Sequence, residues 1–223
     1  MVDVNAADEL LELVNDANEL TGELQPRSRC HAEGLLHRTV YLLLRDAAGQ
    51  VLLSRRSPRK AVAPGLWDLS CAEHVSPGET YEQAACRGAR EELAVQLAPA
   101  ALVQLLPPSR RALRWTTAAG KLVLDNEFVP LFEAHHTAGD VTADPAEVDA
   151  VRWVAWDALL AEARDADAAA RFTPWFLETL RLLGHLPRKR RTTPHVLHAR
   201  VHARHLRLSP RGWAQPRPAA AGE

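Results

Sequence analysis

Two adjacent carboxylates, Glu91 and Glu92, lie near the end of a segment whose residue pattern predicts a helix. The preceding loop closes on Pro77-Gly78, and small or apolar residues then recur at helical spacing from Glu79 to Leu93. Carboxylates on such a helix could hold Mg²⁺, a cation that prefers oxygen ligands and often binds together with substrate phosphates. The alternative is a solvated amphipathic helix stabilised by Arg87 and Glu91, one turn apart. Helical spacing alone does not decide between them.

The segments around this helix alternate between strand and helix patterns. Thr80 is expected to cap the helix, and Gln83 completes a capping box with it. Strands are predicted at Val40–Leu44 and Val51–Ser54, which form a hairpin, and at Leu66–Cys71, Lys121–Leu124, Phe128–Phe132 and Val151–Val154. Further helices are predicted at Trp156–Arg164 and Pro174–Leu183. This order predicts an α/β protein in which helices pack on a mixed sheet.

Composition and charge indicate one ordinary globular domain followed by a tail. The 223 residues, 47% hydrophobic and 25% charged, can bury one good core. The apolar runs are too short to span a membrane, no secretory signal is apparent, and three cysteines are too few for a disulfide framework. We therefore expect a cytoplasmic protein.

The net charge of −1 conceals an acidic body and a basic end. Residues 187–223 carry nine Arg and Lys against one acidic residue, and they contain four histidines at helical spacing, namely His195, His198, His202 and His205. A metal or nucleic-acid site is one interpretation, but a solvated basic extension is favoured, because the segment between these histidines supplies neither a core nor the Trp, Tyr or Phe residues on which bases stack. The predicted organisation is a domain at residues 8–186 and a poorly ordered tail at 187–223.

The segment from Glu73 to Val95 resembles the Nudix box. That pattern is a glycine, five residues, a glutamate, seven residues and then Arg-Glu-aliphatic-x-Glu-Glu-x-Gly-aliphatic. The residues on the pattern are Glu79, Arg87, Ala89, Glu91, Glu92 and Val95. Glu73 and Ala94 replace its glycines, and Gly88 replaces the first glutamate of the Arg-Glu pair. The resemblance implies a Nudix α/β/α sandwich with a mixed sheet.

The resemblance extends over roughly residues 10 to 185 and points to the branch related to type 1 isopentenyl-diphosphate isomerase. The matching segments include His31–Arg38, Arg55-Arg56, Pro64–Asp68, Asp125–Glu127, Asp144–Trp153 and Thr173–Trp175. In that relative, three histidines and two carboxylates hold a divalent metal, and the matching residues are His31, His37, His74, Asp125 and Glu127. Together with Glu92 they imply a site for Mg²⁺ or Mn²⁺. Polar histidines that merely end strands are the alternative, above all for His31.

The position that matches the cysteine of the isomerases is Ala72. That cysteine, two residues before the histidine that matches His74, takes part in proton transfer at carbon. Cys71 is one residue removed, and neighbouring side chains on a strand point to opposite faces. We therefore expect Cys71 to pack as a small buried residue. This difference favours hydrolase over isomerase chemistry.

Gly88 favours isomerase chemistry instead. Nudix hydrolases use a glutamate carboxylate at this position, and the isomerases, like this chain, lack it. Our hypothesis is that Glu73 supplies the missing carboxylate, as a metal ligand or as a general base. The alternative is that Glu73 only pairs with Arg87 or Arg90.

Several cationic and aromatic residues are candidates for binding the substrate. Arginine matches phosphate oxygens with two parallel hydrogen bonds, and aromatic rings could line an apolar pocket, although they are more often core residues. The candidates are Arg55, Arg56, Lys60, Trp67 and Trp175.

The function predicted from these features is metal-dependent hydrolysis of the diphosphate linkage of a nucleoside or prenyl diphosphate. The expected catalytic residues are Glu73, Glu91, Glu92 and Glu127. Isomerisation of isopentenyl diphosphate and a catalytically degenerate diphosphate sensor are the alternatives. The expected partner is the small-molecule substrate, a homodimer stays open, and neither a membrane nor a nucleic acid is expected to be bound.

Overall fold

A computed structural model describes residues 9–117, 119–136 and 141–187. The predicted tail lies outside these ranges apart from Pro187. The strands are β1 (Leu10–Val14), β2 (Leu20–Pro26), β3 (His37–Arg45), β4 (Val51–Arg56), β5 (Trp67–Asp68), β6 (Cys71–His74), β7 (Val103–Thr116), β8 (Leu122–His135) and β9 (Val148–Val154). The helices are α1 (Arg27–Glu33), α2 (Tyr81–Leu93), α3 (Trp156–Arg164), α4 (Ala166–Ala169) and α5 (Pro174–Leu182), and a 3-10 turn spans Pro99–Ala101.

Strand β3 organises a mixed sheet of seven strands. It pairs in parallel with β8 and antiparallel with β4 and β6. Strand β7 continues the sheet beyond β8, while β5 and β9 both pair with β4. Strands β1 and β2 form a separate hairpin.

The sheet buries a core on each face, as the alternation of side chains along β3 requires. Tyr41 and Leu43 pack with residues of α3 and α5, whereas Leu42 and Leu44 pack with residues of α2. Helices therefore cover both faces. The predicted α/β/α sandwich is confirmed.

Helix α2 begins and ends as its sequence dictates, with one departure. Thr80 caps it, and the reciprocal hydrogen bonds with Gln83 form the predicted capping box. At the other end Ala94 adopts φ 57° in the left-handed region, where the Nudix pattern has glycine. A Cβ atom is disfavoured in that region, so this helix end is strained.

The predicted elements mostly exist, with two differences in the strands. Leu66–Cys71 is not one strand but parts of β5 and β6, because the Ser70 hydroxyl accepts from the Leu44 amide and donates to the Leu52 carbonyl, both at 2.7 Å. The two strands predicted between residues 121 and 132 are a single one, β8, because the intervening polar residues stay paired with β7.

The structure adds an N-terminal hairpin, α1 and β7, none of which the sequence pattern had indicated. The hairpin is fixed to the domain by Leu11 and Val14, which are buried, and by the hydrogen bond from the Val14 amide to the Leu36 carbonyl. Among the described residues, no helix has the length and apolar character needed to cross a membrane.

Candidate metal centre and active site

A single cavity of about 410 Å³ collects most of the charged residues singled out above. Its cations are Arg27, Arg56, Lys60 and Arg87, and its acids are Glu9, Glu73, Glu91, Glu92, Asp125, Glu127, Asp144 and Glu147. His31 and His74 also line it, and Tyr41, Val62, Ala72 and Trp175 form its less polar part. Charge of both signs around one cavity suits an anionic ligand that binds together with a cation.

Three histidines and a glutamate converge in this cavity from four elements. His31 lies in α1, His37 begins β3, His74 ends β6 and Glu127 lies in β8. The parallel pairing of β3 with β8 sets His37 opposite Glu127, and the antiparallel pairing with β6 sets His74 opposite Thr39. One donor atom from each of the four lies within 4.8 Å of the others.

In each of the three imidazole rings, Nδ1 faces outward and Nε2 faces the other donors of the group. Nδ1 of His37 donates to the Leu35 carbonyl at 2.8 Å, and Nδ1 of His31 lies 3.1 Å from Oδ1 of Asp125. Nδ1 of His74 lies 3.5 Å from Oε2 of Glu9. Such outer partners hold metal-binding histidines in one tautomer. The lone pairs of the Nε2 atoms are thereby directed toward one point.

The inner atoms of this group lack conventional partners. Nε2 of His37 is buried without a hydrogen bond among the described residues, and it faces Oε1 of Glu127 at 3.4 Å. Nε2 of His31 and Nε2 of His74 are 3.2 Å apart. Lone pairs that face each other at these distances repel, and a proton or a bound cation between them removes the repulsion. Three imidazoles and a carboxylate fit a divalent ion such as Mn²⁺.

The charge states of Glu127 and His74 suit a bound cation, whereas burial would lower the pKa of His37 but its contact with Glu127 raises it and so favours a proton there when no metal is bound. Burial alone would raise the pKa of Glu127, but its close contact with His37, followed by the charges of His74 and His31, lowers that pKa to about 2. Burial lowers the pKa of His74 to about 4. Glu127 is thus ionised and His74 neutral at pH 7, which are the forms that bind metals.

Two further carboxylates, Glu73 and Glu92, line the same cavity. Burial, followed by the charge of Glu73, raises the pKa of Glu92 to about 8. Oε1 of Glu73 accepts from the His74 amide at 3.0 Å, and Oε2 lies 3.4 Å from Arg87. The mutual repulsion of these carboxylates would be relieved by a second positive charge.

Glu73 occupies the space next to Gly88. A Cβ atom at Gly88 would lie 2.6 Å from Sγ of Cys71 and 3.1 Å from Cβ of Glu73. Real Cβ atoms essentially never approach other atoms as closely as the first of these distances. With Cys71 and Glu73 present, position 88 of the helix has no room for a side chain.

Arg87 ties α2 to the loop before it. Its guanidinium donates to Glu79 at 2.9 and 3.0 Å and to the His74 carbonyl at 2.8 Å. Glu73 makes only the longer contact with it. Of the two pairings considered for Glu73, the structure contains the one with Arg87. Glu91 is half exposed and pairs with Arg87 and Arg90, so it lies at the rim of the cavity.

Some of the candidate substrate-binding residues line the cavity, and others lie outside it. Arg56 and Lys60 line the cavity, with Arg56 5.2 Å from the ring centre of Trp175. The Trp175 indole donates to both carboxylate oxygens of Asp68 at 2.8 Å. This bond fixes Trp175 as a wall of the cavity.

The structure places Arg55 and Trp67 away from the cavity, contrary to their expected role. Arg55 follows Ser54 on β4 and precedes Arg56, so its side chain points to the opposite face. It pairs with Asp149 at 2.5 Å and lies over Trp67, against which Arg152 also stacks at 4.6 Å. Asp125, an expected ligand, faces the outer nitrogen of His31 and is not among the four converging donors.

Two cavity residues, Glu9 and Arg27, were missed from the sequence. Their carboxylate and guanidinium lie 3.5 Å apart, and the Arg27 amide donates to the Glu9 carbonyl at 2.7 Å. The turn residues Asn15–Asn18 between two apolar runs were the signal that could have revealed the hairpin. Without it, nothing in the sequence would have brought position 9 to the site.

Ala72 and Cys71 face opposite sides of the sheet, as expected. Ala72 pairs with Tyr41, and both line the cavity. Cys71 pairs with Leu42 and is buried with it in the core beneath α2. Burial raises the pKa of the Cys71 thiol well above its usual value. No cysteine among the described residues lines this cavity.

Comparison with known proteins identifies relatives of the whole domain. Residues 35–176 match the NUDIX domain. The Isopentenyl-diphosphate Delta-isomerase of Mycolicibacterium vanbaalenii is 34% identical over 175 residues, which cover 78% of this chain and 91% of that protein. The enzyme of the same name from Paenarthrobacter aurescens is 37% identical over 170 residues, or 76% and 87% of the two chains.

Solved structures resemble the chain in the same region. The Deinococcus radiodurans protein DR0079 has a TM-score of 0.56 at 29% identity and covers 78% of this chain and 99% of its own. The MutT protein of Methanosarcina mazei has a TM-score of 0.50 at 20% identity, covers 69% of this chain and 96% of its own, and supports the fold alone.

Proposed function

Because this chain belongs to the Nudix family, we propose that it is a metal-dependent hydrolase that cleaves the diphosphate linkage of a small molecule. The observation that carries this choice is the register of β6 on β3, which puts Ala72 in the cavity and Cys71 in the core. The described residues that line this cavity therefore include no thiol for proton transfer at carbon, and Cys71 contacts Glu92 only from the core. The carboxylates needed for activating water are present.

The metal belongs with the four converging donors His31, His37, His74 and Glu127. Bound there, a divalent ion such as Mg²⁺ or Mn²⁺ would neutralise charge on the diphosphate and lower the pKa of a bound water. Asp125 holds His31 from its outer side. Glu127 would supply the negative charge that holds the cation at the centre of the group, and this is the catalytic role that we assign to it.

The cations on the cavity wall bind the phosphates. Arg56 and Arg27 present guanidinium groups, which match phosphate oxygens in pairs. Lys60 adds a point charge beside Glu147, with which it pairs. Trp175 and Val62 contribute an apolar surface for the rest of the substrate, which we take to be a nucleoside or prenyl group.

Glu73 supplies the carboxylate that Gly88 lacks. Its side chain fills the volume beside Gly88 and lines the same cavity as Glu92. The pair serves as ligand for a cation or as acceptor for the proton of the attacking water. Glu91 is directed to the surface arginines, and we assign it no step.

Isomerisation of isopentenyl diphosphate is the second candidate. It is favoured by the names of the curated relatives and by the absence of glutamate at Gly88. A chain that only binds diphosphates would be the third outcome. One assay separates all of these.

The test is turnover of the full chain with Mg²⁺ or Mn²⁺ on nucleoside diphosphate derivatives, sugar nucleotides and isopentenyl diphosphate. Phosphate or monophosphate release and double-bond migration are measured in parallel. We expect release that needs metal and falls by about 10²- to 10⁴-fold in Glu92→Gln, the usual contribution of an acid–base group. Glu82→Gln, on the same helix but outside the cavity, is the matched control and should keep wild-type turnover. Double-bond migration without release, or binding without turnover, would contradict hydrolysis.

A further inference from the structure

Glu9 approaches the candidate metal centre from outside residues 35–176, which match the NUDIX domain. The matched region begins at residue 35, whereas Glu9 immediately precedes β1. Two backbone constraints hold it there, the pairing of Leu10 with Pro26 and the hydrogen bond from the Arg27 amide to the Glu9 carbonyl. The buried Leu11 fixes the same strand to the domain. The carboxylate is therefore presented by a rigid element.

The Glu9 carboxylate lies between one imidazole and one guanidinium. Its Oε2 is 3.5 Å from Nδ1 of His74 and 3.5 Å from Nε of Arg27. On the other side of the ring, Nε2 of His74 is 3.2 Å from Nε2 of His31 and 3.8 Å from Oε1 of Glu127. The two nitrogens of His74 thus face different groups.

We propose that Glu9 is a positioning residue that keeps the proton of His74 on Nδ1 and so directs the Nε2 lone pair toward the metal. A neutral imidazole carries one proton on either nitrogen. The opposite tautomer would turn a lone pair toward the Glu9 carboxylate, which is repulsive. The distance exceeds the usual N–H···O range of about 2.7–3.2 Å, so Glu9 acts on His74 mainly through its negative charge and not through a short hydrogen bond.

The other two histidines also have an outer partner at Nδ1. Asp125 faces Nδ1 of His31, and the Leu35 carbonyl accepts from Nδ1 of His37. Glu9 completes this set for His74. Each of the three Nε2 atoms is then free to bind a cation, and the N-terminal hairpin and α1 together complete a centre that β3, β6 and β8 only begin.

A different role, direct ligation of a cation by Glu9, Glu73 and the outer nitrogen of His74, is disfavoured by charge. These groups lie close enough to share an ion. However, Arg27 is already 3.5 Å from Glu9. The fixed guanidinium group beside this carboxylate opposes the binding of a dication by Glu9.

The test uses Mn²⁺ alone and the full chain, so it rests on the proposed metal centre but not on turnover of any substrate. Nitrogen-15 NMR of the metal-free protein reports the tautomer of His74, and titration calorimetry reports the Mn²⁺ affinity. We expect the Nδ1–H tautomer in wild type, and a shift toward Nε2–H in Glu9→Gln and further in Glu9→Leu. Loss of an outer partner should weaken Mn²⁺ binding by about 10- to 100-fold.

The control is Glu33→Gln, which removes an exposed ion pair with Arg29 on α1 and is not among the residues that line the cavity. It should leave both the tautomer and the affinity unchanged. Circular dichroism establishes that each variant is folded, and the isosteric Glu9→Gln keeps the test valid where Glu9→Leu does not fold. An unchanged tautomer with weaker Mn²⁺ binding would make Glu9 a ligand and overturn the proposal. An unchanged tautomer and an unchanged affinity would overturn it as well.

Discussion

Gly88→Ala tests whether the cavity wall is built as described. Alanine in a helix interior is favoured over glycine by about 1 kcal/mol. Against this, the added Cβ would lie 2.6 Å from the Cys71 sulfur and 3.1 Å from Cβ of Glu73. Inserting a carbon into a packed core costs about 1–3 kcal/mol. The net expectation is a loss of about 0–2 kcal/mol in the free energy of unfolding.

The decisive quantity is the dependence of that loss on Cys71. In a Cys71→Ala background the closest atom is gone, so Gly88→Ala should raise the free energy of unfolding by about 1 kcal/mol, the ordinary preference of a helix for alanine. Urea unfolding of wild type, both single variants and the double variant gives the coupling energy. We expect about 1–3 kcal/mol. If Gly88→Ala has the same effect in both backgrounds, within about 0.5 kcal/mol, the steric argument for glycine at position 88 is refuted.

Three further predictions follow from single residues. Ala94→Gly should raise the free energy of unfolding by about 1 kcal/mol, because Ala94 is left-handed at φ 57°, and a fall in thermal midpoint would contradict this. Ala72→Cys should add one thiol that reacts readily with an aromatic disulfide reagent, since Ala72 lines the cavity whereas Cys71 is buried; an unreactive new thiol would place position 72 elsewhere. Burial alone would raise the pKa of Glu79, but Arg87 lowers it below 4.5. The ion pair of Glu79 with Arg87 therefore stabilises the fold above pH 4.5, and this stabilisation is lost as the pH falls through the lowered pKa. Urea midpoints of Glu79→Gln should lie below those of wild type at pH 7 and converge with them in acid.

Local patterns predicted the elements whose hydrophobic period is strong. The helix at residues 156–164 has the predicted bounds, and α2 has its predicted cap, because both signals lie within a few neighbouring residues. Strand β7 escaped prediction because Pro107-Pro108 and its arginines conceal the alternation of a mostly exposed edge strand. Its pairing with β8 is a tertiary effect.

The residues of the candidate site likewise include some that a local sequence pattern could place and others that only tertiary contacts determine. His74 and Glu92 could be placed because they fall within one resembling segment, whereas Glu9 depends on a hairpin that docks through distant contacts. Arg55 and Arg56 are adjacent and chemically alike, so only the register of β4 decides which one lines the cavity. The match of three outer acceptors to three Nδ1 atoms is visible only in three dimensions.

The most direct test of hydrolysis is to follow the isotopes of water into the product. The full chain with Mn²⁺ acts on nucleoside diphosphate derivatives and isopentenyl diphosphate in water enriched in ¹⁸O and deuterium, and mass spectrometry locates both labels. Our account predicts one ¹⁸O atom in a released phosphate or monophosphate, no deuterium on carbon, and loss of labelling in Glu92→Gln. Deuterium on carbon with the diphosphate intact would contradict it and establish isomerisation.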